Sequence, residues 1–196
     1  NVCDTQHQST FRTARTPIDI DPGTTLESPF DELVWNAPSS AAVFTTFVEF
    51  ESFLMQVSSV AADGQSFEAL FTAGWPGGNP ECPSVVPISA DYSANPLFVT
   101  EDGTMEIPVA DGPFPFSILI DELKFTGRFL EDGTMDDVHF SGRIDTRPFD
   151  DLLGGEGATC DLALLAGDTC DLCADGEPFC LLLDVDVVSQ QSFGPG

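Results

Sequence analysis

The chain carries 33 acidic residues against 6 basic ones in a length of 196, a formal net charge of -27 at pH 7. A field of that sign repels phosphate backbones and anionic lipid headgroups, which argues against a nucleic-acid partner and against attachment to an acidic membrane surface. Hydrophobic residues still make up 42% of the sequence, with 17 Phe among them, so the chain can bury a core and is not disordered by composition.

No apolar run reaches the roughly 18 residues that a membrane helix needs. The sequence begins Asn1-Val2-Cys3 without methionine, the pattern expected of a processed, exported protein. One secreted β domain over residues 1–196 is expected, with an extended arm over 1–25 and a helical, Cys-rich segment over 146–180.

The arm ends in Ile18-Asp19-Ile20-Asp21, an alternation that suits a short edge strand. Asp19 and Asp21 are the nearest candidates for calcium ligands. Their loop lacks the third acidic position of a helix-loop-helix calcium site, so the pair is a weak one. Ser28-Pro29-Phe30-Asp31 has the order of an N-cap followed by proline at the first helical position. It predicts a helical turn through Trp35, stopped at Asn36-Ala37-Pro38.

Between Val43 and Val60 two periods compete. Phe44, Phe47, Phe50, Leu54 and Val57 share one helical face, whereas the wealth of Phe, Val and Thr suits a strand. The Asp63-Gly64 corner and the alternation of Phe67, Ala69, Phe71 and Ala73 after it favour a β-hairpin. A Pro/Gly-rich connection follows from Gly74 to Pro96. It holds Trp75 and Tyr92, the candidate contacts for a sugar or an apolar ligand, unless Trp75 simply caps an open end of the core.

Strands are expected at Leu97–Thr100 and from Met105 to Val109, joined by a tight turn at Asp102-Gly103. Glu101-Asp102-Gly103-Thr104-Met105 recurs as Glu131-Asp132-Gly133-Thr134-Met135, which reads as the same turn chemistry used twice. From Gly112 to Asp145 a meander is legible. Leu123, Phe125, Gly127 and Phe129 alternate with polar residues, the chain turns at Asp132-Gly133, and Val138, Phe140 and Ile144 oppose a wet face of His139, Ser141, Arg143 and Asp145. Phe116, Ile118 and Ile120 have the other parity from Leu123, which predicts a bulge at Asp121-Glu122. Two short helices with glycine stops are expected from Arg147 to Gly155 and from Thr159 to Gly167, then a final strand through Leu181, Leu183, Val185 and Val187.

Six cysteines, Cys3, Cys82, Cys160, Cys170, Cys173 and Cys180, suggest three disulfides in an oxidising compartment, with Cys3 to Cys82 as a way to pin the arm. A zinc site in the C-terminal four is the rival, weakened by spacings unlike two close pairs and by the lack of a nearby His. Cys170-Asp171-Leu172-Cys173 lacks the strand-then-helix setting of a redox motif.

His139, Ser141 and Asp145 share one face, yet neighbours on such a face lie about 7 Å apart and no nucleophile elbow surrounds Ser141. With so many carboxylates, a pair at glycosidase spacing carries no information. The fold expected is mainly β, an antiparallel sandwich or open barrel with two short helices in the C-terminal third, stapled by disulfides. The function expected is that of a non-enzymatic extracellular structural or interaction protein at the cell surface or secreted, a homopolymer subunit that pairs strands through a terminal arm. The alternatives are a carbohydrate- or apolar-ligand-binding module and a hydrolase. No cofactor beyond the candidate calcium is implied, and the partners expected are copies of the same chain or other extracellular proteins.

Overall fold

Alternating side chains govern most of the chain, and they pair as β-ladders. The computed structural model describes residues 22, 25–29, 33–47, 52–74, 85–109, 116–131, 134–187 and 191–193. In chain order these form β1 (Thr25–Pro29), β2 (Leu33–Trp35), α1 (Pro38–Phe47), β3 (Ser52–Val60), β4 (Ser66–Gly74), β5 (Val86–Asp91) and β6 (Leu97–Thr100). They continue with β7 (Gly103–Val109), β8 (Phe116–Phe129), β9 (Met135–Asp145), α2 (Arg147–Leu153), α3 (Ala158–Leu165), β10 (Cys180–Val187) and β11 (Gln191–Phe193).

Every ladder among the described residues is antiparallel, and the strand order is β11-β1-β3-β4-β5-β6-β8-β9-β10-β2, with β7 also on β8. Four strands separate β3 from β9 in that order, yet the rings of Phe53 and Phe140 are 5.0 Å apart. The sheet has therefore curled over itself into a half-barrel. Its open side is laced at both ends by the same two chain segments: β1 pairs with β11, and β2, three residues further on, pairs with β10.

Aromatic rings fill the interior. Phe71 meets Phe125 at 4.4 Å across it, and Phe67, Tyr92, Phe98 and Phe129 form a second group with centroids 5.2 to 5.9 Å apart. Edge-to-face and offset contacts of this kind add to the burial of the rings themselves. The inward side chains of the curled sheet join into one hydrophobic cluster.

The meander expected at residues 112–145 is present as β8 and β9. Leu123, Phe125, Gly127 and Phe129 face inward, as do Val138, Phe140 and Ile144. The corner residues Asp132 and Gly133 lie outside the described residues, but the Leu130 amide donates to the Thr134 carbonyl at 2.8 Å and closes the hairpin. The register shifts between Asp121 and Lys124, where Glu122 has φ +53°, so the bulge sits where the parity change puts it. A second shift surrounds Asp137, φ +50°. Asp145 departs from the wet face expected of it and is buried, clasped by Arg147.

The connection expected from Gly74 to Pro96 is interrupted by β5, which pairs with β4 and β6, and three further local expectations are corrected. Thr25 to Pro29 and Leu33 to Trp35 are strands, not a helical turn, because Pro29 can end a strand as readily as start a helix once β3 offers a ladder. Asn36-Ala37-Pro38 starts a helix instead of stopping one: proline suits the first helical position, and Ser39-Ser40-Ala41-Ala42 carries on from it. The span 43–60 is consequently split, helical to Phe47 and extended from Ser52.

The third correction concerns Asp102-Gly103, which is a step and not a hairpin. β6 and β7 both run along the 14-residue β8, Leu97 opposite Arg128 and Val109 opposite Phe116. Gly103 lacks the positive φ that a tight corner requires, and the Phe125 amide, left without a ladder partner at the step, donates to the buried Thr100 hydroxyl at 2.8 Å. Among the described residues no helix is long and apolar enough to cross a membrane.

Candidate interaction surface

The helices expected near residues 147 to 166 are α2 and α3, and the second is built unusually. An amphipathic surface helix buries its apolar stripe. α3 instead buries Thr159 and Ala163, two small residues one turn apart, and turns Leu162, Leu164 and Leu165 outward at 51%, 62% and 85% exposure. At 100° per residue these leucines spread around the side opposite Ala163, with Asp161 between them. Leu152 and Leu153 at the end of α2 are exposed as well.

That orientation is imposed by neighbouring groups. Gly157, the N-cap of α3, has φ +81° and no side chain to offer the free amides of the first turn. Asp150 of α2 replaces it: its carboxylate accepts the Gly157 amide at 2.8 Å and the Thr159 amide at 2.9 Å, and it is itself buried. A carboxylate at that end also suits the positive pole of the helix.

Beyond α3 two disulfides take over, Cys160 to Cys170 and Cys173 to Cys180. The first fastens the helix to the following loop, and the second fastens that loop to the base of β10. Asp171 pairs with Cys180 as an isolated bridge. The zinc alternative for these four thiols is thereby overturned, while Cys3 and Cys82 lie outside the described residues.

Two arginines complete the fastening. Arg147 donates from Nε and Nη2 to Asp145 at 2.9 and 2.7 Å, and from Nη1 to Asp175 in the disulfide loop at 2.6 Å. Its own titration is pushed further up, first by the Asp145 bonds and then by Asp175. Asp175 is held below the usual carboxylate range by the Glu177 amide first and by Arg147 second. Arg143 pairs with Glu122 at 3.0 Å and donates to the Leu172 carbonyl. Lys124 and Arg128, the other described cations, pair with Asp102 and with Asp136 and Asp137.

A polar cluster occupies the outer wall of β9 and β10. Asn36 Nδ2 donates to Asp184 and Asp186, each at 2.9 Å, and His139 Nδ1 lies 2.9 Å from Asp186 and 3.8 Å from Asp184. The Asp186 carboxyl is lowered, by Asn36 first and His139 second. The cluster stitches α1's approach to the barrel wall. It draws His139 away from any triad, since Asp145 is engaged by Arg147 about 20 Å along the strand.

Of the candidate ligand contacts, Tyr92 is a core residue, 2% exposed, with its ring against Phe67 and Phe129. Trp75 lies outside the described residues, as do Asp19 and Asp21. Among the described residues no three His, Cys, Asp or Glu side chains are grouped to hold a metal ion. The leucine face of α3 was not singled out by its sequence, because Leu162, Leu164 and Leu165 do not form one stripe. The usable signal was the pair Thr159 and Ala163, small residues at helical spacing beside a cysteine. Compared with known proteins, the chain matches no family model, no curated protein and no solved structure.

Proposed function

We propose that this protein works by contact and not by catalysis, as an extracellular interaction subunit in which a β half-barrel carries a stapled helical cap. The observation that supports this reading best is that α3 buries its small residues and displays its leucines. Apolar side chains rimmed by polar ones on an otherwise soluble surface mark places where another molecule sits. The disulfides support export, because such bonds persist in oxidising compartments. The ring-filled interior argues against an apolar ligand inside the barrel.

The test is the combined variant Leu162→Ser, Leu164→Ser and Leu165→Ser, followed by thermal unfolding. Leucines kept for contact can be lost with little change in midpoint. A fall of more than about 4 °C, the equivalent of 1 to 2 kcal/mol in a chain of this size, would show that they serve the fold and would reject the reading.

Self-assembly through strand exchange is a second reading. Its specific support is β11, three residues held at the flank of the sheet by β1, a segment that another copy's β1 could accept in its place. Sedimentation of the protein with and without residues 189–196 tests it, and an unchanged mass distribution rejects it.

A further inference from the structure

We infer that the leucine face of α3 docks a basic amphipathic segment of a partner protein. The inference rests on the reading of α3 as a contact surface and adds the chemistry of what it contacts. Three observations carry it.

First, the cap from Arg147 to Cys180 contains eight acidic residues and one basic one. Arg147, that one cation, is already engaged with Asp145 and Asp175. Asp161 lies between the leucines on α3 itself, and Asp151, Glu156 and Asp171 are exposed in the segments on either side of it, with no free cation among the described residues of the cap. An apolar stripe flanked by lysine or arginine complements that surface on both counts, and the flanking charges would speed encounter.

Second, the same charges oppose the other occupants. A second copy would bring two strongly acidic caps together within a molecule of net charge -27, and an anionic bilayer would be repelled likewise.

Third, the face is pre-organised. Asp150 and the Cys160–Cys170 disulfide hold α3 before any partner arrives, and Cys173–Cys180 and Arg147 hold the loop to which it is fastened, so little ordering cost remains on this side of the contact. Eight residues of helix extend about 12 Å, enough to meet an i, i+3/i+4, i+7 set of anchors on a partner helix.

The experiment uses the full, disulfide-bonded chain and three synthetic peptides. One is a helix with leucines at i, i+3, i+4 and i+7 and lysines on its flanks. The second has the same composition in scrambled order, and the third carries glutamates in place of the lysines. Binding is read by fluorescence anisotropy at near-physiological salt. The ordered lysine peptide is expected to bind at least about tenfold more tightly than either control, and the triple leucine-to-serine variant to lose about tenfold. Leu165→Lys, at the most exposed of the three positions, provides an independent variant that leaves the buried side untouched and should weaken the same peptide.

Equal binding of ordered and scrambled peptides, or undiminished binding by both variants, would reduce the effect to general attraction by an acidic protein and overturn the inference. So would leucine-dependent self-association, or leucine-dependent binding to zwitterionic phosphatidylcholine vesicles with no response to the peptide. An unchanged thermal midpoint with no peptide binding rejects the basic partner alone, whereas a collapsed midpoint in the triple variant rejects the contact surface as well.

Discussion

Replacing Asp150 with alanine isolates the group that orients the cap. The carboxylate accepts two backbone amides, Gly157 at 2.8 Å and Thr159 at 2.9 Å, and is 3% exposed. Stranding a buried donor costs about 1 to 3 kcal/mol, and losing an N-terminal cap costs about 0.5 to 2 kcal/mol. The two descriptions overlap, so about 3 kcal/mol is expected in total. In a chain of this length that lowers the thermal midpoint by roughly 6 to 12 °C. Asp150→Asn keeps the volume but aims an NH2 at one of the two N–H groups, so it should recover less than half. Circular dichroism gives the midpoint, and amide exchange over Thr159 to Leu165 tells whether α3 opens alone or with the barrel. A midpoint within about 1 °C of the parent, with α3 protection unchanged, would refute the view that Asp150 holds this helix in place.

Gly127→Ala would place a Cβ 2.8 Å from Cε1 of Phe98 and 2.9 Å from Cγ2 of Val138, so overpacking should cost about 1 to 3 kcal/mol in a urea titration. Reduction of Cys160–Cys170 and Cys173–Cys180, which close loops of 10 and 7 residues, should remove about 2 to 3 kcal/mol each by chain entropy. Amide exchange under dithiothreitol should show that loss in α3 and in the loop before β10, with β3, β4, β8 and β9 still protected. Asp186, Asp136 and Asp175 all have lowered carboxyl values in the fold, with Asn36, Arg128 and the Glu177 amide as first causes. Their stabilisation is complete above the unfolded value of about 4 and disappears as pH falls through the folded ones. The midpoint should therefore hold from pH 7 to about 5 and fall below about 4, measured in roughly 0.5 M salt to screen the general repulsion. Asp186→Asn should make that acid limb shallower, and an identical limb in the variant would disconnect it from the Asn36 and His139 contacts.

Where one side chain sufficed to decide the structure, it was legible. The alternation from Leu123 to Phe129 buried the residues it nominated, and the parity change after Ile120 marked the bulge at Glu122. The parity change between Met135 and Val138 held the same information about Asp137. Glycine stops placed α2 and α3 to within a residue or two, and the cysteine count pointed to the two disulfides that are described.

Where a distant partner decided, local patterns misled. Pro29 and Pro38 each satisfy the rule for a helix start and the rule for a boundary, and only the ladder offered by β3 separates them. Glu-Asp-Gly-Thr-Met closes a hairpin after β8 but bridges a step between β6 and β7, because a 14-residue neighbour can template both strands. The candidate surface was hidden for the same reason, since the outward turn of the α3 leucines depends on Asp150 in another helix.

The lacing of the open side has a consequence for how such a molecule could be tethered. Thr25 sits opposite Phe193 and Glu27 opposite Gln191. The start of β1 and the end of β11 therefore lie next to each other, like two ends of a thread drawn through one eyelet. A load that pulls those two points apart would open the three-pair seam one pair at a time, before it reached the longer ladder of β1 with β3.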